Sequence, residues 1–98
     1  MVIGQRRYLI AYDISDDVRR SHVVKTLQSH GMRLQYSVFL LEVRKSALLK
    51  VKAALEDEID SSQDSVLICD LDTCEGSESA MTFMGRRGYR DVTVPQII

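Results

Sequence analysis

Hydrophobic and polar residues follow two different periods along this chain. Segments that alternate, or that form a short continuous apolar run, are typical of strands, whereas apolar residues at every third or fourth position are typical of amphipathic helices. Five segments fit strands: residues 7–13, 33–43, 65–71, 80–84 and 91–98. Two segments fit helices: residue 15 to about 30, and residue 46 to about 59.

Polar residues and glycine favour these helix boundaries. Ser15 and Ser46 are suited to N-caps, because a serine hydroxyl accepts a hydrogen bond from a free amide of the first turn. Gly31 is suited to the left-handed turn that ends many helices. An acidic loop at residues 72–79 separates the last elements.

The segment 33–43 has the clearest alternation. Its first set of side chains is wholly apolar or aromatic, and we expect it to pack against helices: Leu34, Tyr36, Val38 and Leu40. The other set mixes polar groups with Phe39 and Leu41. A semi-apolar sheet face of this kind is a candidate for a subunit interface.

Five short strands and two helices fit an α+β, ferredoxin-like βαββαβ fold with an additional C-terminal strand. Residues 1–98 are expected to form a single domain, with both helices on one face of an antiparallel sheet. Pro95 cannot donate a ladder hydrogen bond, so residues 91–98 favour an edge position. We expect this tail strand to pair with a second copy of the chain, which gives a homodimer.

Composition and charge narrow the class of protein. A chain of 98 residues that is 45% hydrophobic and 28% charged is typical of a soluble globular domain. It has neither a membrane-length apolar segment nor a secretory signal, so we expect a cytoplasmic protein without a membrane partner. Cys69 and Cys74 are too few for a disulfide framework or a zinc site.

The net charge of −1 combines +6 in residues 1–52 with −7 in residues 53–98. A basic half attracts phosphate backbones, whereas an acidic half is suited to solvent or to a basic protein partner. A mixed surface without any partner is the alternative.

Asp13 ends the first strand and is the main candidate for chemistry. The next carboxylates, Asp16 and Asp17, are explained by the positive end of a helix dipole, whereas Asp13 is not. Mg²⁺ keeps several waters and needs only one or two carboxylates, so two copies of Asp13 across a twofold axis would supply a site. Such a site suits metal-assisted cleavage of a phosphodiester. The alternative is that Asp13 is only a helix-entry residue.

Five basic side chains and Tyr8 are candidates for phosphate contacts, through positive charge or hydrogen bonds. The basic ones are Arg19, Arg20, Arg33, Arg86 and Arg87. Arg20 lies in the apolar stripe of the first helix, which predicts that it extends toward the end of the sheet near Asp13. A salt bridge between Arg20 and Asp13 is as well supported as a phosphate contact.

Two segments together resemble a known family. Residues 12–17, Tyr-Asp-Ile-Ser-Asp-Asp, with Arg19 and Arg20, and residues 31–39, Gly-Met-Arg-Leu-Gln-Tyr-Ser-Val-Phe, are similar to the CRISPR-associated endonuclease family, the smaller of the two core spacer-acquisition proteins. The family commonly has Glu directly after this Phe, whereas here Leu40 and Leu41 precede Glu42.

The resemblance implies a ferredoxin-like homodimer in which two Asp13 side chains face each other, with Asp13 as the catalytic and Mg²⁺-binding residue. It also implies a metal-dependent nuclease acting on RNA or DNA, and a partner of a larger integrase that holds duplex DNA during spacer acquisition. A purely structural DNA-holding adaptor is one alternative. A toxin-like ribonuclease of the virulence-associated D type is another, although the segment 35–39 argues against it.

Overall fold

A computed structural model describes residues 4–85 of the chain. The elements follow in the order β1 (Gln5–Asp13), α1 (Asp17–Gln28), β2 (Gly31–Gln35), β3 (Val38–Arg44), α2 (Lys45–Glu58) and β4 (Ser65–Thr73), and a short 3-10 helix (Gly76–Ala80) ends the series. The four strands form one antiparallel sheet in the order β2-β3-β1-β4. This is the ferredoxin-like βαββαβ arrangement, so the predicted fold class is confirmed.

The predicted strand over 33–43 is in fact a β-hairpin. Tyr36 and Ser37 form a two-residue turn, and β2 and β3 pair antiparallel on either side of it. Two-residue connections are common in hairpins. The sequence prediction missed this turn because Tyr36 and Ser37 continue the apolar and polar alternation and contain neither glycine nor proline.

Because of this turn, the two sets of side chains in the segment lie on the opposite faces of the sheet from those predicted. Phe39 and Leu41 are buried against the helices, within a core made by one face of the sheet and both helices: Tyr8, Ile10, Tyr12, Ile14, Val23, Leu27, Phe39, Leu41, Val51 and Leu55. Leu34 and Leu40 instead form a second cluster, which includes Leu9, Val38, Met81 and Phe83. The assignment of Leu34, Tyr36, Val38 and Leu40 to the helix-packed face was therefore wrong. We call the side of the sheet that carries Leu9, Leu34 and Leu40 the helix-free face.

Local boundaries differ from the prediction at three further places. Asp16, not Ser15, caps α1, because its carboxylate accepts a hydrogen bond from the backbone amide of Arg19 at 2.9 Å. Helix α2 starts directly after β3 at Lys45 and has no side-chain cap, so Ser46 lies within the helix. The predicted strand 80–84 is wrong, since the 3-10 helix reaches Ala80 and irregular chain follows it. The predicted tail strand 91–98 lies outside the described residues.

Gly31 has a different role from the one predicted. It begins β2, where an added Cβ would lie 2.3 Å from the carbonyl oxygen of Leu40 and 2.8 Å from Leu41 Cδ1. The close approach of two strands, rather than a left-handed turn, requires glycine here.

We therefore expect Gly31→Ala to lower the free energy of unfolding by about 1–3 kcal/mol, since the β3 backbone must move to admit the methyl group. Chemical denaturation of both proteins measures the difference. Gly76→Ala is the control, because Gly76 does not have a positive φ and an added Cβ would lie 3.3 Å from its nearest neighbour, the exposed Thr73 side chain. Equal losses in the two variants would contradict the steric explanation.

No helix in the described part of the chain is long and apolar enough to cross a membrane.

Candidate functional site

Asp13 is the last residue of β1 and is exposed at the end of the sheet. In register it lies opposite Ser65 at the start of β4. Strand alternation places it on the same face as Leu9 and Ala11, which is the helix-free face. Its neighbour Tyr12 donates a backbone hydrogen bond to the carbonyl of Ser37 at 3.0 Å, so the β2–β3 turn lies beside Asp13.

Arg20 holds the loop that follows Asp13. Its Nη1 donates to the carbonyl oxygens of Ile14 at 3.0 Å and Ser15 at 3.3 Å, while Nη2 pairs with Asp17. The Asp17 carboxylate raises the pKa of the Arg20 guanidinium, which keeps it charged. The predicted approach of Arg20 to the end of the sheet is confirmed. Its ion pair, however, is with Asp17 and not with Asp13.

Arg33, on β2, also lies near this end of the sheet, among aromatic rings. Its guanidinium carbon is 5.6 Å from the centroid of the Tyr36 ring and 5.2 Å from that of Phe39, which are cation–π distances. Its Nη2 donates to the Tyr12 hydroxyl at 3.4 Å, and Nε is buried without a hydrogen-bond partner among the described residues. Arg20 and Arg33 thus bring positive charge near the strand end that carries Asp13.

Arg19 is engaged elsewhere. Its Nε and Nη2 donate to the two carboxylate oxygens of Asp64 at 2.7 and 3.2 Å. The Asp64 side chain is fully buried, and it also accepts a hydrogen bond from the backbone amide of Asp60. The pair joins α1 to the loop before β4. This internal role of Arg19 was missed because Asp64 is 45 residues away in sequence.

The Arg19–Asp64 pair makes stability depend on pH. Arg19 holds the pKa of Asp64 below its usual value of about 4, so the pair stabilises the fold above that pH and loses its effect as the pH falls through the folded-state pKa. We expect Arg19→Ala to lower the melting temperature by several degrees at pH 7, because a buried carboxylate loses its partner. The difference from wild type should shrink below about pH 4.

Thermal unfolding of both proteins across this pH range measures the effect. Lys25→Ala, on an exposed position of the same helix, is the control. A difference between wild type and Arg19→Ala that stays constant down to acidic pH would contradict the ion-pair explanation.

Glu42, which is displaced from the position that the family pattern favours, lies at the opposite end of β1. It faces Arg7 in register and pairs with it at 3.0 Å. Nη1 of the same arginine donates to the buried Ser77 hydroxyl at 3.0 Å. This network fixes the 3-10 helix to the sheet, so Glu42 has a structural partner far along the strand from Asp13.

A single chain offers few metal ligands at this site. Within residues 4–85, no three His, Cys, Asp or Glu side chains converge to hold a metal ion. The exposed Asp13 carboxylate suits a hard cation such as Mg²⁺, which takes oxygen ligands. Arg86 and Arg87, also predicted to contact phosphate, lie outside the described residues.

Comparison with protein families decides the family of this chain. The family model described as CRISPR associated protein Cas2 matches residues 6–78, which run from β1 into the 3-10 helix. The chain belongs to the Cas2 family. The resemblance seen in the sequence is thereby confirmed, and a toxin-like ribonuclease of another family is no longer needed to explain it.

Individual Cas2 proteins support the same assignment. The chain is 36% identical over 92 residues to CRISPR-associated endoribonuclease Cas2 4 of Rhodospirillum rubrum, covering 94% of this chain and 73% of that protein. It is 30% identical to CRISPR-associated endoribonuclease Cas2 of Geobacter sulfurreducens, covering 81% and 83% of the two chains. The crystal structure of Streptococcus pyogenes Cas2 matches with a TM-score of 0.68 at 25% identity, over 81% of this chain and 99% of that one.

Proposed function

We propose that this Cas2-family chain is a cytoplasmic, Mg²⁺-dependent endonuclease that cleaves phosphodiester bonds as a homodimer. The carboxylates of two Asp13 side chains would form the metal site. The observation that carries the proposal is the position of Asp13, exposed at the end of β1 on the helix-free face. Two chains that pack through this face can bring both carboxylates to one axis.

The helix-free face has the character of an interface. A groove of about 440 Å³ lies between the sheet and the segment 80–84, and it is lined by apolar side chains that include Leu9, Val38 and Phe83. Leu67, on β4 near Asp13, is 57% exposed. Exposed apolar surface of this kind is typical of an association site. Residues 91–98 would then pair with the partner at the outer edge of β4, which has no neighbouring strand among residues 4–85.

The chemistry follows from the groups at this sheet end. A bound Mg²⁺ would polarise the phosphodiester and lower the pKa of a bound water. Asp13 supplies negative oxygen ligands for the cation. Arg20 and Arg33 carry positive charge near this strand end and would attract the phosphate backbone without reading its sequence. The chain therefore contributes the Asp13 carboxylate and two guanidinium groups, all held near the end of β1.

RNA is the first substrate to test. The relatives in Rhodospirillum rubrum and Geobacter sulfurreducens are named endoribonucleases, whereas a Cas2 protein of Thermus thermophilus, 36% identical over 66 residues, is named an endonuclease. The test compares cleavage of end-labelled single-stranded RNA and of duplex DNA by wild type and by Asp13→Asn, with Mg²⁺ and with a chelator. Cleavage that persists in the variant or in chelator overturns the proposal.

A second role, in which the dimer holds duplex DNA for the larger integrase during spacer acquisition, is supported by the charge of +6 on residues 1–52. Backbone binding of this kind weakens steeply with salt, because neutralised phosphates release their counterions. Spacer acquisition in cells that carry Asp13→Asn separates the two roles. Normal acquisition without cleavage would assign the cellular role to DNA holding alone.

A further inference from the structure

Tyr36 is an exposed aromatic side chain that the core does not use. It occupies the two-residue turn between β2 and β3, and 73% of its surface is exposed. The alternation of the segment assigns it to the same face as Leu34 and Leu40, yet those two are buried and Tyr36 is not. Because Tyr36 buries little of its surface in the fold, most of its ring is accessible to a ligand.

The turn that carries Tyr36 is held rigidly beside Asp13. The Tyr12 hydroxyl donates to the carbonyl oxygen of Tyr36 at 3.0 Å, and the Tyr12 amide donates to the carbonyl oxygen of Ser37 at 3.0 Å. Tyr12 itself is buried and is stacked against Phe39, with ring centroids 6.3 Å apart. The backbone of the turn is thus tied to the residue that directly precedes Asp13.

The Arg33 guanidinium lies over one face of the Tyr36 ring. It also lies over the Phe39 ring, and its carbon is 5.6 and 5.2 Å from the centroids of the Tyr36 and Phe39 rings. Arg33 therefore orients the Tyr36 ring and places positive charge next to it, while the large exposed area leaves the rest of the ring available to a ligand.

An aromatic platform next to an arginine matches the chemistry of an unpaired nucleotide. A base stacks on an aromatic ring through its π face, and the attached phosphate is attracted by neighbouring guanidinium groups. Bases inside a duplex already have both faces covered by their neighbours, so they are not available to such a ring. The ligand that fits this surface is a single strand.

We propose that Tyr36 stacks an unpaired base and so selects single-stranded nucleic acid at the site of Asp13. The inference rests on the proposed nuclease function, and it assigns a specificity-determining residue to that same site. Stacking on one aromatic residue changes affinity by roughly tenfold. Arg33 acts here as a positioning residue for the ring.

The test measures binding separately from cleavage. In the Asp13→Asn background, Tyr36→Leu and Tyr36→Phe are titrated with a short single-stranded RNA, a single-stranded DNA of the same sequence and the corresponding duplex DNA, each containing the fluorescent base 2-aminopurine. Fluorescence anisotropy gives the Kd, and quenching of 2-aminopurine reports stacking. Gel filtration of every variant gives its oligomeric state.

We expect Tyr36→Leu to bind a single strand about tenfold more weakly and to lose the quenching, while Tyr36→Phe retains both. The single strand with the larger loss identifies RNA or DNA as the natural ligand, and duplex binding should be equal in all variants. Three results would overturn the inference: unchanged single-strand binding in Tyr36→Leu, an equal loss for duplex, or a changed oligomeric state, which would make Tyr36 a subunit contact. Binding is measured in the Asp13→Asn background and does not depend on cleavage. The binding result can therefore be interpreted even if the nuclease proposal fails.

Discussion

Asp13→Asn is expected to lower Mg²⁺-dependent cleavage of single-stranded RNA by about a hundredfold or more. The substitution keeps the size of the side chain but removes the negative charge that binds the cation. Metal-assisted stabilisation of a phosphodiester transition state is worth several kcal/mol, and each 1.4 kcal/mol changes a rate about tenfold. Initial rates at saturating Mg²⁺ measure the loss.

A matched control is available on α2. Asp57, an exposed carboxylate on α2, is changed by the same isosteric substitution in Asp57→Asn. This control should cleave at the wild-type rate. Because Asp13 is exposed, both variants should also melt close to wild type. A large fall in melting temperature of Asp13→Asn would mean that the lost activity reports misfolding.

Mixed dimers show whether the two Asp13 side chains act together. Equal amounts of wild type and Asp13→Asn, after subunit exchange, should retain roughly a quarter of the activity of the same total amount of wild type, because only dimers with two intact carboxylates are active. Roughly half of the activity would remain if each subunit worked alone. That second result would remove the paired-carboxylate site while leaving Asp13 catalytic.

The position of Asp13 was predictable because it depends on local pattern. A short apolar run followed by a carboxylate and a helix start predicts an acid at the end of a strand, and β1 ends at Asp13 as expected. The two helices were also found from their periodicity. Family motifs in residues 12–17 and 31–39 then indicated which fold joins them.

The pattern could not predict the hairpin turn, nor the face of the sheet on which the side chains around it lie. Alternation is unbroken through Tyr36 and Ser37, and shifting the register by one residue moves every side chain to the other face. Phe39 was therefore expected on the open face and is instead fully buried against the helices. The same error hid the exposure of Tyr36. A turn without glycine or proline gives no local signal.

Long-range ion pairs could not be predicted from the sequence either. Arg19 is one of several arginines in a basic half, and only the folded chain shows that Asp64 engages it. Arg20 was placed correctly by its stripe, yet its acceptors are the Asp17 carboxylate and backbone carbonyls of the β1–α1 loop. A helix pattern gives the direction of a side chain but not the partner at its tip.

Leu67→Asp is expected to convert the dimer into a monomer and to reduce cleavage by more than about tenfold at low protein concentration. Leu67 is 57% exposed in the single chain, so the substitution should leave folding nearly unchanged. In a dimer formed through the helix-free face, the new carboxylate is buried and faces like charge across the axis. Like charges brought together at an interface cost several kcal/mol.

Leu49→Asp is the matched control, because Leu49 is 59% exposed on α2 and lies away from the helix-free face. Sedimentation velocity of both variants gives their oligomeric state, and cleavage is followed over a wide range of protein concentration. The activity of Leu67→Asp should recover as concentration rises, since mass action restores the dimer. A variant that stays dimeric would show that the subunits associate through another surface. A monomeric variant with full activity would show that one Asp13 is enough for cleavage, so the two measurements together decide between a paired site and a single-chain site.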